Sequence, residues 1–418
     1  MDHYQTIVKI METGNVADVI YLDIAKAFDK VDHGILLRKL RVMGIGGPML
    51  TWIQEFLVNR SQIVSVDGEL SQKAAVVSGV PQGTVLGPIL FLVFVSDVDG
   101  GLQHASASSF ADDTRILMKI ETNSDTQNLQ NDLNTVYKWA ENNNMAFNCS
   151  KFQHMRCGSP VVDASHYVSP SGDEIAMFGD IRDLGIMMSD SCKFHEHIDK
   201  GSSKGKRMSG WILRTFKTRD RGPMLTLYKS LVLPILDYCC QLWSPDQLGL
   251  VRKLEAIQRH FTSKINGCGG LSYWERLSEL RLYSLERRRD RYAIIYVWKV
   301  INNLAPNFMN EDYMIKTKCT PRHGRKCVIP ALVRGTAARI VTLKENSFAL
   351  RGPRMFNCIP AELRNCDGTV ESFKNNLDKF LAGVPDKPCL PLYYQASTGN
   401  SLLQQVMQQR VASLQLLM

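Results

Sequence analysis

The sequence predicts an α+β fold: an antiparallel sheet backed by helices in the first half, then a mainly helical second half. Three observations predict it. Val19-Ile20-Tyr21-Leu22 is a short apolar run ending at Asp23, the pattern of a buried strand. Two runs, Ala105 to Phe110 and Arg115 to Ile120, flank Phe110-Ala111-Asp112-Asp113-Thr114 as the arms of a hairpin with two carboxylates at its tip. Helical stripes of apolar residues fill the intervals and lengthen past Lys193.

Taken in order, the strand ending at Asp23 is followed by Phe28, Val31, Ile35, Leu36 and Leu40 at helical spacing, closed by Gly44-Ile45-Gly46-Gly47. Strand-Asp-helix puts Asp23 at the carboxyl end of its strand. Pro48 then opens a short helix through Leu57. Ile63 to Val66, the Asp67-Gly68 turn and Lys73 to Val77 read as a hairpin. It leads into Ser78-Gly79-Val80-Pro81-Gln82-Gly83-Thr84-Val85-Leu86-Gly87-Pro88, whose glycines allow close approach and whose Gln82 amide both donates and accepts, and then into an apolar helix. Beyond the acidic hairpin, Ser124 with Gln127 reads as a capping box for a helix striped by Leu129, Leu133, Val136 and Tyr137. Met145 to Lys151 reads as a turn feeding a strand to Cys157, and Glu174 to Phe178 with Asp183 to Met188 as a further strand pair.

Past Lys193 helices are expected over 195–217, 224–238, 248–265, 273–285 and 292–301, the last preceded by Arg287-Arg288-Arg289, and near 370–381. The segment 401–418 reads as an amphipathic helix. The expected division is 1–192, 193–300, 301–395 and a tail, 396–418. Cys319, His323 and Cys327 lack a fourth ligand at suitable spacing and read as a plain loop.

The chain has 418 residues and a net charge of +9. Residues 1–192 hold 14 Lys and Arg against 23 Asp and Glu, whereas 193–418 hold 36 against 18. The acidic half carries the carboxylates; the basic half suits a polyanion, bound without sequence preference and with strong salt dependence. Within 195–217, cations interleave with Trp211 and Phe216, a composition suited to nucleic-acid backbone and base contact. The uninterrupted apolar runs are shorter than the roughly 18 to 20 residues of a membrane span, and the first residues lack a signal-peptide pattern. The expectation is an intracellular protein of nucleus or cytoplasm, neither secreted nor in a membrane, with its 11 scattered cysteines reduced.

Asp23 with Phe28 five positions on, the Pro81-Gln82-Gly83 loop and the aromatic-Ala-Asp-Asp hairpin occur in an order that resembles the palm of reverse transcriptases. Tyr21 to Asp29 looks like motif A, Ser78 to Phe91 like motif B, Phe110 to Asp113 like motif C, Asn148 to Lys151 like motif D and Leu184-Gly185-Ile186 like motif E. The likeness is greatest to non-LTR retrotransposons of the jockey-like (LINE) kind. It continues through Leu227 to Cys239, Trp243-Ser244-Pro245, Ser272 to Leu277 and Leu285 to Arg289, so that it covers residues 15–380.

The resemblance implies an RNA-directed DNA polymerase: a palm with partial fingers, a helical thumb-like region, and partners that are an RNA template, a DNA primer and dNTP. It implies two Mg²⁺ ions, with Mn²⁺ able to substitute, held by Asp23, Asp112 and Asp113. Phe28 is then the steric gate against a ribose 2′-OH, Ile24, Gln82 and Gly83 contact the nucleotide, Lys151 lies by the leaving pyrophosphate, and Leu184 to Met188 form a primer grip. One departure stands out: about twenty residues precede Asp23, with Lys9 their one Lys or Arg. The expectation is therefore an amino-terminally truncated chain, its fingers and endonuclease supplied by a missing segment or a partner. Two alternatives are an RNA-dependent RNA polymerase, which shares the palm, and an inactive remnant that only binds RNA or RNA/DNA hybrid.

Overall fold

The computed structural model describes residues 1–158, 166–321, 324–331, 336–387 and 400–407. They form two compact units, 13–181 and 1–12 with 182–418. Helix α1 (Asp2–Glu12), which the sequence reading left out, therefore belongs with the carboxy-terminal half.

The unit 13–181 is built on a four-stranded antiparallel sheet. Strand β1 (Val16–Asp23) is followed by α2 (His33–Val42), capped by Asp32 whose carboxylate accepts from Ile35 N, and α3 (Gly47–Leu57) with Pro48 in its first turn. The expected single hairpin is two nested ladders. Strand β2 (Arg60–Gln62) pairs with β5 (Ala74–Val76), and β3 (Ser65–Val66) with β4 (Glu69–Leu70) across Asp67-Gly68, both with positive φ as this tight turn requires. Helix α4 (Leu86–Val95) follows, then β6 (Ser106–Phe110), β7 (Asp113–Ile120), α5 (Asn123–Asn142) and β8 (Gln153–Cys157). The sheet order is β6-β7-β1-β8, so β1 is central.

Two apolar layers hold these elements. Val16, Ile20, Leu22, Ile116 and Met118 pack on Leu129, Leu133 and Val136 of α5. Ile24, Val31, Leu36, Leu40, Ile53, Leu90, Phe91 and Phe94 form a second layer that joins α2, α3 and α4. Helix α5 is capped by Thr122, whose backbone N–H donates to Asp125 Oδ2 at 2.8 Å, and not by Ser124 with Gln127. The reason is that Thr122, two residues beyond β7, still has extended backbone (φ −137°, ψ 165°), the conformation a cap residue needs. Glu174 to Phe178 is not a strand: it clips the edge of β8 at His154, which donates from N to Ala176 O and accepts from Phe178 N. The strand pair lies later, β9 (Asp180–Asp183) with β10 (Ile186–Ser189).

In the unit 1–12 with 182–418, the longest helix is α6 (His195–Thr215). Arg221–Leu227 and Leu233–Asp237 are α-helical, joined by a π-helical turn, Tyr228–Val232. Pro234 has no N–H to give to the carbonyl four residues back, which accounts for the widened turn. The helix Leu285–Ile301 takes in Arg287 to Arg289 and forms the core with Phe348, Phe356 and Phe373; Trp298 stacks on Phe373 at 4.7 Å. That core runs from Ala293 to Val406, so the boundary expected at 300/301 falls inside it.

Some of the basic residues are internal. Arg276, Arg287, Arg289 and Arg364 are buried; Arg287 donates to Pro385 O at 2.8 Å, and the less buried Arg288 pairs with Asp237 at 2.5 Å. The reading of the Arg287–Arg289 region as part of a polyanion surface therefore gives way to one of interior ties, since buried charges require partners. Helix α6 differs. Its Lys200, Lys204, Arg207 and Arg214 are exposed, as is Trp211, opposite a buried face of Ile198, Ser202, Gly205, Ser209 and Ile212.

Cys319 and Cys327 lie on a two-stranded ladder, Thr317–Thr320 with Gly324–Cys327; burial pushes the Cys327 thiol up to about 12, and His323 lies outside the described residues. The cysteines among the described residues are free, and no helix among them is long and apolar enough to cross a membrane. The expected tail, 396–418, lies largely outside the described residues, which include Asn400 to Met407.

Candidate active site

The buried strand β1 carries Asp23 to the end of the sheet, where its register partner is Asp113, first residue of β7. The turn between β6 and β7 is only Ala111-Asp112, because Phe110 already pairs with Asp113. Ala111 takes a left-handed φ of 54°, a conformation that costs a residue with a Cβ on the order of 1–2 kcal/mol. Such strain at a turn bearing two acids marks a place where geometry outweighs local stability.

The segment after α5 closes on Asp23 from the other side. Asn148 N donates to Asp23 O and Ala25 N to Ala146 O, both at 2.8 Å, and Ile24 bridges Phe147. This brings Lys151, at the end of a 3-10 turn (Cys149–Lys151), onto the carboxylate: Nζ lies 3.1 Å from Asp23 Oδ2 and 3.3 Å from Oδ1. Asp113 behaves differently. Burial, then the neighbouring Asp112 and Asp23, hold its carboxyl above the ordinary value.

These three carboxylates are hard oxygen donors, the ligand chemistry of Mg²⁺ or Mn²⁺ and not of a soft metal. Among the described residues no three acids, histidines or cysteines are already drawn around one point. What fits such an ion is the donor set itself: Asp23 and Asp113 are register partners at the end of one ladder, and Asp112 stands next to Asp113 on the two-residue turn.

Phe28 lies in a 3-10 turn, Ala27–Asp29, half-buried, its ring stacked on the buried Phe91 at 4.5 Å and 20°. It is a packed aromatic with part of its ring open to solvent. Ile24 has a buried side chain. Gln82 and Gly83 are exposed; Gly83 has a φ of +78° with open space where a Cβ would stand. Leu184, on the β9–β10 turn, has its carbonyl bonded by the Tyr238 hydroxyl at 3.0 Å.

Two arrangements were not legible in the sequence. Ser78 to Val80 dock on the Phe28 turn: Val80 N donates to Phe28 O (2.9 Å), Ser78 Oγ to Asp29 O (2.9 Å) and Gln82 Nε2 to Asp29 Oδ1 (3.0 Å). Asp29 follows Phe28 directly, which is the one signal that could have drawn notice to it. The second is beneath the site, where the fully buried Asp18 of β1 accepts from Arg156 Nε (2.8 Å) and Nη2 (2.7 Å) and from Tyr167 OH (2.7 Å). Burial raises its pKa, but Arg156, His154 and Tyr167 outweigh this and hold it at about 2.

Comparison with known proteins fits this arrangement. Residues 3–194 match the family described as reverse transcriptase (RNA-dependent DNA polymerase). The chain is 30% identical over 269 residues to the RNA-directed DNA polymerase from mobile element jockey of Drosophila melanogaster, a match over 62% of this chain and 29% of that one. It is 26% identical over 262 residues to the probable RNA-directed DNA polymerase from transposon X-element of the same species, over 60% and 28% respectively. Among solved structures, apo telomerase from Candida tropicalis aligns with 67% of this chain and 48% of its own, at 10% identity and a TM-score of 0.38. The chain thus spans less than a third of the curated relatives' length. The matched residues include Asp23, Gln82, Asp112 and Asp113, all in the unit 13–181, and residues 3–194 are thus similar to the reverse transcriptase family, with relatives among the RNA-directed DNA polymerases of jockey-like non-LTR retrotransposons.

Proposed function

We propose that this chain carries the nucleotidyl-transfer centre of an RNA-directed DNA polymerase, which joins a dNTP to a DNA primer 3′ hydroxyl on an RNA template. The observation that carries the reading is the pairing of Asp23 with Asp113 at the end of the β1–β7 ladder, with Asp112 beside them on a two-residue turn. Asp23 and Asp112 would hold two Mg²⁺ ions, with Asp113 alongside; bound there, they supply Lewis acidity at the hydroxyl and the triphosphate.

The chain's own residues position and neutralise. Lys151, already paired with Asp23, is a cation at the edge of the carboxylates and within reach of a leaving phosphate. The Phe28 ring, fixed from below by Phe91, presents a wall that a ribose 2′-OH would strike. Gln82 and the Gly83 backbone, on a loop open to solvent, contact the nucleotide, and Ile24 offers its carbonyl. In the other unit, Arg182, Lys200, Lys204 and Arg207 line a groove of about 1220 Å³ together with Glu196 and Asp199, so its lining carries a net positive charge that a phosphate backbone would meet.

Extension of a DNA primer on an RNA template with dNTP and Mg²⁺ tests this, wild type beside Asp112→Asn. Extension by wild type and a loss of at least about a hundredfold in the variant is the expected result. Full-rate extension by the variant overturns the site, and preferential use of rNTP would indicate an RNA polymerase. No extension by either, with salt-sensitive hybrid binding retained, would leave a nucleic-acid-binding remnant.

A further inference from the structure

We propose that Asp29 is a positioning residue for nucleotide selection, which latches the Gln82 loop to the Phe28 turn and fixes the direction of the Gln82 amide. The proposal rests on the polymerase reading above.

The latch has a backbone part and a side-chain part. Gly79 N donates to Val31 O at 2.8 Å and Val80 N to Phe28 O at 2.9 Å. Ser78 Oγ donates to Asp29 O at 2.9 Å. Gly79 has a φ of +83°, and a Cβ there would stand 2.8 Å from Asp29 Cα, so the two backbones meet with no side chain between them. The Gly79 carbonyl is held from the far side by Arg60 Nη2 at 3.0 Å and His33 Nε2 at 2.8 Å. Onto this frame the Asp29 carboxylate adds one directional contact, accepting from Gln82 Nε2 at 3.0 Å.

The direction matters because an ionised carboxylate only accepts. The Gln82 amide must turn its NH₂ to Asp29, and its carbonyl oxygen then faces away as an acceptor. Gln82 and Asp29 are both exposed, so that oxygen is accessible to a donor group on a nucleotide. Phe28 is thereby bounded twice, by Phe91 beneath and by the latched loop beside it, and gate and amide move as one body. An uncharged residue at 29 frees the amide to flip, and the loop to part from the gate.

The test uses the full chain with Asp29→Ala, Asp29→Asn, Gln82→Ala and the Asp29→Ala, Gln82→Ala double variant. Asp29→Ala is expected to raise KM for dNTP about tenfold with kcat within about twofold, as for loss of a charge-assisted contact made before chemistry. Asp29→Asn, which keeps an accepting oxygen but admits the flipped amide, should fall between. The double variant should be no worse than the poorer single one, since both remove the same contact. In parallel, amide hydrogen exchange over residues 78–88 should quicken in Asp29→Ala while the global melting temperature holds. Additive effects in the double variant, an equal fall in kcat for all variants, or unchanged exchange would overturn the latch. Should the wild type fail to extend primers, the polymerase reading falls, while the exchange measurement still decides whether the latch exists.

Discussion

Asp23 and Asp113 close the β1–β7 ladder as register partners, yet Lys151 stands on Asp23 and Asp113 is held above the ordinary carboxylate value. The pair is electrostatically lopsided. Because the folded Asp113 binds its proton more tightly than the ordinary value of 3.8, its ionisation works against the fold, and stability falls as pH rises through that interval. Asp113→Asn should therefore stabilise the chain at pH 7 by on the order of a few tenths of a kcal/mol, an advantage that vanishes below the ordinary carboxylate value. Thermal melting at pH 7 and pH 3 checks the sign. Added Mg²⁺ should raise the melting temperature of wild type and leave an Asp23→Asn, Asp112→Asn double variant unmoved.

Two glycines of the Gln82 loop should respond differently to alanine. Gly79 has both a left-handed φ and backbone atoms within 2.9 Å of where a Cβ would stand, whereas Gly83 has the left-handed φ alone. Gly83→Ala should cost about 1 kcal/mol and Gly79→Ala about 2–4 kcal/mol, because the second must also push the Asp29 turn away. Chemical denaturation of both variants, with m-values compared, separates them.

Asp18 is predicted to be the acid-sensitive point of the sheet. Its carboxyl sits at about 2 in the fold, so its contribution is present above the ordinary carboxylate value of 3.8 and is lost as pH falls through about 2. The magnitude is about 2 kcal/mol. Asp18→Ala should cost about 3–5 kcal/mol at neutral pH, since it removes a fully buried carboxylate that Arg156 and Tyr167 bond and leaves a cavity in the sheet. A stability curve against pH, flattened between pH 4 and 2 in Asp18→Asn, is the measurement.

Phe28→Val should separate the two roles of that ring. Loss of the stack on Phe91 should cost about 1–2 kcal/mol, read by melting. Incorporation of rNTP relative to dNTP should rise on the order of tenfold, read by single-nucleotide extension. A stability loss with unchanged sugar preference would reduce Phe28 to a packing residue.

What was legible in the sequence follows from range of interaction. Val19 to Leu22 ending at Asp23 is a local pattern, and so are the Asp67-Gly68 turn and the Ala111-Asp112 tip; each appears where its residues predict. Strand pairing is not local. Asp18 reads as an ordinary polar residue until Arg156 and Tyr167 arrive from 138 and 149 positions away. Arg287 and Arg289 looked like surface cations because a charge run usually is solvated, and only the helix Leu285–Ile301 as a packed element turns them inward. Glu174 to Phe178 has strand-like residues but meets β8 at one position, so no ladder forms.

Helix α1 sets a practical limit on how the protein can be dissected. Its Ile7, Val8 and Met11 are buried, its Tyr4 hydroxyl donates to Cys192 O, and its Glu12 is bonded by Lys344 and Tyr313. The match to the family model ends at residue 194, so a fragment expressed to that limit would keep an amphipathic helix whose cover had been removed. Such a piece would expose an apolar stripe and self-associate, and the insolubility would be an artefact of where the gene was cut. The compact unit that holds the carboxylates runs from Thr13 to Ile181.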